Sequence, residues 1–327
     1  MADRIRCGLL GTGHAHAAGK LQVLRESEDW ELVGVCEPDA TWRARRAQEE
    51  AFIGVRWVSV SELLDDPSVQ MVAVESEVPQ LLSLGRRAID AGKHIHLDKP
   101  AGTSLATFRA LLDEAERRGL IVQMGYMFRY NPGFDLIRQA VREGWLGEVH
   151  TLHGSMNSQI EPAARRRLAF HPGGMMFELG GHLIDLLVLL MGRPRRITPF
   201  LRHDAAYDDG LADNTLAVLE YDRAVAVIES SAMEVEAFAR RHFEVCGNGG
   251  SIVLQPLEPP AVRLCLQEPR GGYRAGWQTV RVPNIPRYAE DLKELAWCIR
   301  GEQEFPYSKE HDLIVQETLL RACGVEP

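Results

Sequence analysis

The run Ile5-Arg6-Cys7-Gly8-Leu9-Leu10-Gly11-Thr12-Gly13-His14-Ala15-His16 decides the fold. Ile5 to Leu10 has the length and apolarity of a buried strand, and Gly11 and Gly13 end it. A helical pattern follows over residues 17–28, and Trp30 to Cys36 reads as a second strand closing on Glu37-Pro38-Asp39. The order is strand, glycine turn, helix, strand, acid. Such a turn lets backbone N–H groups approach a pyrophosphate at a helix N-terminus. Glu37 stands 24 residues after Gly13, near the spacing of an acid that takes the adenine-ribose hydroxyls. An acid there repels a 2′-phosphate, so NAD is expected before NADP; Arg43, Arg45 and Arg46 close by temper that preference. The third glycine position is filled by His16, which either points at the phosphates or is solvated. A lone GxG is equally a plain turn, and it is the strand-turn-helix context that favours a dinucleotide.

The alternation continues. Residues 40–51 look helical, 55–58 form a short strand, and Ser61 caps a brief helix through Asp65. An apolar strand over 69–74 precedes a helix over 79–91 that stops at Gly92. Lys93-His94-Ile95-His96-Leu97-Asp98-Lys99-Pro100 is then a strand that Pro100, lacking an N–H, must end. This puts Lys99 at the carboxyl end of a strand, the edge where open parallel sheets bind ligands. The plain alternative is a solvated lysine. Thr103 or Ser104 caps a helix to Arg118, and 120–124 is another strand. Strands spaced by helices of this length imply a doubly wound parallel sheet with right-handed crossovers.

Composition limits the function. The 327 residues suffice for two domains, and 45% hydrophobic with 25% charged residues is ordinary for a globular chain. The net charge of −9 argues against nucleic acid or an anionic membrane as partner. Cys7, Cys36, Cys246, Cys265, Cys298 and Cys323 are scattered, without a CxxC pair or a disulfide framework. No signal peptide or membrane span is read, so a cytoplasmic location is expected.

In the second half, 132–143 is helical and 149–157 begins a run of strands. Arg165-Arg166-Arg167 reads as a solvated face in a loop, or alternatively as an anion or hydroxyl contact at a pocket mouth. Residues 178–191 form an apolar helix on which Glu178, His182 and Asp185 fall at i, i+4 and i+7 on one face. Beside them Leu179, Leu183, Leu186 and Leu190 face the core. His182 is then a catalytic base or a satisfied structural histidine. A metal would need Glu178 and His182 joined by His171, His203 or Asp185, and none is assigned. Strands follow over 196–202, 214–220, 224–231, 242–246, 251–254, 262–266 and 278–282. Gly247-Asn248-Gly249-Gly250 is a tight turn between two of them, and adjacent strands on short turns imply an antiparallel sheet. Two helices, 285–300 and 309–323, close the chain. The division is expected near Gly125: residues 1–125 bind the nucleotide, and residues 126–327 bind the substrate.

The glycine loop, the acid after the second strand and Asp98-Lys99-Pro100 together resemble the glucose–fructose oxidoreductase / inositol dehydrogenase / MocA (Gfo/Idh/MocA) family. Gly173-Gly174-Met175-Met176-Phe177-Glu178-Leu179-Gly180-Gly181-His182-Leu183-Ile184-Asp185 resembles the motif of its second domain. Met124-Gly125-Tyr126-Met127-Phe128-Arg129-Tyr130-Asn131-Pro132 resembles the crossing between its domains. The resemblance implies an N-terminal Rossmann α/β domain followed by an α+β domain with a large, mainly antiparallel sheet. It implies an NAD(P)-dependent oxidoreductase moving hydride between nicotinamide and a carbinol carbon of a sugar, polyol or related hydroxylated molecule. Cofactor contacts fall on Gly11, Thr12, Gly13, His14, Glu37, Ser76, Asp98 and Lys99. Lys99, His182 and Glu178 become catalytic, and Lys99, Arg129, Arg167, Asp185 and His182 meet the substrate. A homodimer or homotetramer packed through sheet surfaces is implied. Three stretches depart from the pattern. The usual Glu-Lys-Pro is Asp98-Lys99-Pro100, and the usual acid before the histidine is Glu178 instead of Asp. Ser76, Glu77, Val78 and Leu81 stand where Thr-Pro-Asn-x-x-His is usual. Glu75 and Glu77 then place negative charge near the ring or point to solvent. The competing readings are an NAD- or sugar-sensing protein without catalysis, and a reductase of imines or unsaturated substrates.

Overall fold

The computed structural model describes residues 3–327, in two compact units. The first runs to Met127 and also takes in Pro286–Lys309; the second comprises Phe128–Ile285 and Glu310–Pro327. A linear division at residue 125 leaves out this late return to the first unit.

The first unit is built on five parallel strands: β1 (Ile5–Leu10), β2 (Trp30–Cys36), β3 (Met71–Val74), β4 (His94–Leu97) and β5 (Val122–Met124). Their order is β2-β1-β3-β4-β5. Val72, Ala73, Leu9 and Leu10 have no exposed surface, as expected of strands covered on both faces. The order reverses between β1 and β3, which makes the carboxyl ends of those two strands the ligand-binding crevice of such a sheet. Helices Ala17–Glu26, Val78–Asp90 and Leu105–Arg117 lie where periodicity put them.

Local chemistry moved some boundaries. The helix expected over 40–51 is Ala40–Arg46, started by Asp39 accepting the N–H groups of Thr41 and Trp42, and a separate 3₁₀ turn covers Glu50–Phe52. Residues 55–58 contribute only a single bridge, Val35 to Trp57. The brief helix is capped by Ser59, not Ser61. Ser59 Oγ accepts the Glu62 N–H at 3.1 Å while Glu62 accepts the Ser59 N–H at 2.7 Å, a reciprocal pair that Ser61 has no acid to complete.

The second unit carries an eight-stranded sheet: β6 (Val149–Ser155), β7 (Arg196–Arg202), β8 (Asn214–Glu220), β9 (Val225–Ser231), β10 (His242–Gly247), β11 (Gly250–Leu254), β12 (Val262–Leu266) and β13 (Gly276–Val280). Its order is β13-β12-β11-β10-β6-β9-β8-β7, antiparallel except for β6 beside β9. Asn248-Gly249 is the two-residue turn joining β10 to β11. Leu152, Ile228, Phe243, Val245 and Ile252 point to one face, packed by helices Pro132–Arg142 and Gly181–Met191. Their neighbours in the alternation, among them His153, Glu229, His242 and Glu244, are half-buried on the other face.

Two expectations here are corrected. Residues 162–168 form a helix with Pro162 at its start, not a loop, and Arg165 on it is fully buried. Its guanidinium lies 2.6 Å from Asp209 and 2.7 Å from Asp213, so only part of the arginine run is a solvated face. The helix expected over 178–191 opens instead as a π turn, Met176–Gly180, and is α-helical only from Gly181. The adjacent glycines Gly180 and Gly181 hold α geometry weakly, and the Met176 sulfur takes the place of a side chain at Gly180. Glu178 therefore sits in a different helical geometry from His182 and Asp185, and the simple i, i+4, i+7 stripe does not describe them.

Candidate active site

In the first unit, the eight residues expected to meet the cofactor gather at the reversal between β1 and β3. Gly11 has φ +79° and is backed so closely by Ser76 that a Cβ would lie 2.7 Å from the serine Cβ. A side chain at Gly13 would meet the Glu77 Cγ at 2.6 Å. Only glycine fits either place. The Glu37 carboxylate accepts the Thr12 N–H at 2.5 Å, the Thr12 hydroxyl at 2.7 Å and the Asp39 N–H at 2.8 Å. It thus ties the end of β2 to the glycine loop. Arg46 holds the loop from beneath: its Nε donates to the Thr12 carbonyl at 2.8 Å and its Nη2 to the His14 carbonyl at 2.9 Å.

Asp98 is the hub of the site. It is fully buried at the end of β4, and its carboxylate accepts the Lys99 N–H at 2.7 Å. His14 Nδ1 stands 2.6 Å from it, His16 Nδ1 3.2 Å and Lys20 Nζ 3.3 Å. Lys20 also donates to Glu75 at 2.8 Å, and both those side chains are fully buried. Lys99 itself is 1% exposed. Burial would raise the Asp98 pKa, but His14, Lys20 and His16 outweigh it and hold the carboxyl well below the usual range. Glu75 goes the other way: burial and the Asp98 charge raise it well above the usual range against the pull of Lys20. Two carboxyls around one ammonium are thus driven apart in acidity.

Several of these partners escaped the sequence. His16 neither faces solvent nor takes the place of a glycine in close packing. Burial lowers its pKa to about 4, its ring lies 5.4 Å from the Tyr288 ring, and Gly19 leaves the room that Tyr288 occupies. Glu75 does not reach solvent, because Lys20 pairs with it. Tyr288 and Asp291 arrive on the returning segment, with Gln123 donating to the Asp291 carbonyl at 2.9 Å and standing 2.8 Å from His96 Nδ1. A lysine in an amphipathic helix and a tyrosine near the end of the chain gave no signal of such roles.

In the second unit, His182 is 1% exposed, with the Phe128 ring edge-on at 5.4 Å. Glu178 is half-buried in the π turn. Asp185 and Arg129 bond each other: Arg129 Nη2 is 2.6 Å from Asp185 and 2.6 Å from Asp312, and His311 Nε2 is 3.0 Å from Asp185. All four are buried or nearly so, and the charges of Arg129 and Asp185 go to this network. Burial opposes ionisation of Asp185, yet Arg129 holds its pKa below the usual value; for Asp312 burial prevails and the pKa is raised. Arg167 is exposed on the helix Pro162–Leu168. The histidines weighed as extra metal ligands are engaged elsewhere, His171 stacked on Phe177 at 5.3 Å and His203 against the Leu211 and Tyr207 carbonyls.

Residues 5–126 match the family model described as oxidoreductase family, NAD-binding Rossmann fold, and residues 134–253 match that of the GFO/IDH/MocA C-terminal domain. The chain belongs to the Gfo/Idh/MocA oxidoreductase family. Among its relatives, the uncharacterized oxidoreductase ORF334 of Rhizobium meliloti is 26% identical over 325 residues, covering 97% of this chain and 95% of that one. The trans-1,2-dihydrobenzene-1,2-diol dehydrogenase of Macaca fascicularis is 25% identical over 221 residues, 66% of this chain and 65% of that protein. Among solved structures, GenD2 from gentamicin A biosynthesis, in complex with NAD, superposes with a TM-score of 0.81 at 21% identity, covering 99% of this chain and 95% of its own. The Gfo/Idh/MocA fold thus spans the whole chain, with its NAD-binding Rossmann part at the glycine loop.

Proposed function

We propose that the chain is an NAD-dependent dehydrogenase or reductase acting at a carbinol carbon of a sugar, polyol or related hydroxylated molecule. The observation that carries this reading is the link through Asp98: one buried carboxylate joins the histidines of the glycine loop to the backbone of Lys99. A dehydrogenase of a cyclic diol among the relatives supports chemistry at CH–OH. Two features support NAD over NADP. Glu37 sets a carboxylate at the loop, where it would repel a 2′-phosphate and, with three bonds already accepted, still has a lone pair for one ribose hydroxyl. Arg46, the arginine nearest the loop, is turned beneath it and holds carbonyls.

Bound nicotinamide supplies the hydride acceptor. Lys99 donates to the carbinol oxygen and stabilises the negative charge that develops there. His182 takes the hydroxyl proton, the carbon giving its hydride as that O–H breaks. Glu178 orients His182 or Lys99, and Asp98 holds Lys99 through its backbone. The direct test is a panel of sugars and polyols screened for reduction of NAD and of NADP, with the ketones screened in reverse. Turnover with NAD on a vicinal diol or polyol supports the reading. Tight NAD binding without turnover in either direction would turn the assignment to the sensor.

A further inference from the structure

We propose that His153, His242 and Glu244 form a binding site for a divalent transition metal of the Zn²⁺ class on the open face of the eight-stranded sheet, with Glu229 orienting His153. The strand register assembles it. β6 lies between β10 and β9, so His153 is directly opposite Glu244 on one side and beside Val227 on the other. His242 is two residues from Glu244 along β10, and Glu229 two from Val227 along β9, which puts all four side chains on one face.

A hydrogen bond fixes the His242 ring. His242 Nδ1 is 3.1 Å from the Arg240 carbonyl oxygen, which can only accept, so Nδ1 carries the proton and Nε2 the lone pair. His153 Nε2 faces the Glu229 carboxylate at 3.8 Å, an ion-pair distance longer than a hydrogen bond. His153 Nδ1 stands 3.3 Å from His242 Nε2, within hydrogen-bond reach, so without a metal its N–H donates to the His242 lone pair. Glu244 Oε1 is 3.7 Å from the same His153 Nδ1, and the three ligand atoms lie within 4.8 Å of one another. Metal–ligand bonds of about 2.0–2.1 Å in a tetrahedron give edges of roughly 3.3 Å, close to this spacing. A bound metal ion would displace the proton between the two rings and take a lone pair from each. The outward ring nitrogens already have the carbonyl and carboxylate partners that orient metal-bound histidines. A fourth position remains for water.

Among the described residues two other clusters offer histidine and carboxylate together, and both already hold a cation. Lys20 sits 3.3 Å from Asp98 beside His14 and His16, and Arg129 lies 2.6 Å from both Asp185 and Asp312 beside His311. Among the described residues no Lys or Arg pairs with Glu229 or Glu244.

The test uses the full chain stripped with EDTA, titrated with Zn²⁺ by calorimetry and with Co²⁺ by visible absorption. Cys246 lies two residues beyond Glu244 on the same face, so the spectrum must separate thiolate from imidazole. The expected result is one ion per chain and Co²⁺ d–d bands without a thiolate charge-transfer band, unchanged in Cys246→Ser. His153→Ala and His242→Ala should each abolish or greatly weaken binding, and Glu229→Gln should weaken it by about 10- to 100-fold. The inference is overturned if wild-type protein binds neither ion, if the double histidine variant binds as before, or if the Co²⁺ spectrum shows thiolate ligation lost in Cys246→Ser.

Discussion

The ammonium of Lys20 stands 3.3 Å from the Asp98 carboxylate, with both side chains fully out of solvent. Glu75 shares the same ammonium at 2.8 Å. Lys20→Met would leave two buried carboxyls facing each other. We expect it to cost about 3–5 kcal/mol, the usual penalty for stranding a buried charge. Lys20→Met with Glu75→Gln should regain part of that loss. Urea unfolding of the three proteins measures it, and equal stability of Lys20→Met and wild type would contradict the role given to Lys20.

Gly11→Ala places a methyl 2.7 Å from the Ser76 Cβ in a backbone with φ +79°. Both the clash and the left-handed conformation oppose it. The expected outcome is loss of NAD binding, followed by quenching of protein fluorescence, together with a lowered unfolding midpoint. Gly54→Ala is a control for φ alone, since it has φ +75° with nothing near its Cβ, and it should keep NAD affinity.

His96 supplies the clearest pH signature. Burial lowers its pKa to about 3, with Lys20 adding to the shift and the Gln123 hydrogen bond opposing it. The ordinary value is about 6.5 in an unfolded chain. Between those values the unfolded chain binds a proton that the folded one does not, so stability rises with pH across this window and falls on acidification. In His96→Gln the slope of unfolding free energy against pH between 6 and 4 should drop by about 1.4 kcal/mol per pH unit relative to wild type. An unchanged slope would show that His96 is not held neutral.

For the chemistry, Lys99→Met and His182→Asn are each expected to lower kcat by about 10²- to 10⁴-fold, the range for losing a charge-stabilising donor or a general base. NAD affinity should stay near wild type in both. The acid limb of the pH–rate profile should vanish in His182→Asn and persist in Lys99→Met. Full turnover in either variant removes that residue from the mechanism.

Arg129→Met leaves Asp185 and Asp312 buried beside each other, and a loss of about 3–5 kcal/mol is expected. Adding Asp185→Asn and Asp312→Asn should restore much of it. Thermal unfolding compares the three. If the single variant is as stable as wild type, Arg129 is not what holds Asp185.

The parts of this molecule legible in its sequence are those set by local chemistry. The strand Ile5–Leu10, the turn at Gly11 and the end of β4 before Pro100 are each determined by residues within a few positions. The hairpin at Asn248-Gly249 is legible for the same reason. What the sequence concealed is long-range pairing of buried charge. Lys20 looks like any solvated helix lysine until Glu75 and Asp98 arrive 55 and 78 residues later. Arg165 looks solvated until Asp209 and Asp213 reach it. Arg129 and Asp185 both read from the sequence as substrate contacts, although the structure bonds them to each other. The π turn was hidden because its cause is the weak helical hold of Gly180-Gly181 together with the Met176 sulfur folding over them.

The return of residues 286–309 bears on how this protein is made. Tyr288 closes over His16 and Lys20, and Asp291 accepts from Gln123, so the nucleotide-holding unit lacks those pieces until residues 286–309 have left the ribosome. A nascent chain ending at Met127 would carry the Lys20–Asp98 cluster without its lid of aromatic ring. Synthesis order therefore couples completion of the nucleotide-binding lobe to prior synthesis of the whole of Phe128–Ile285.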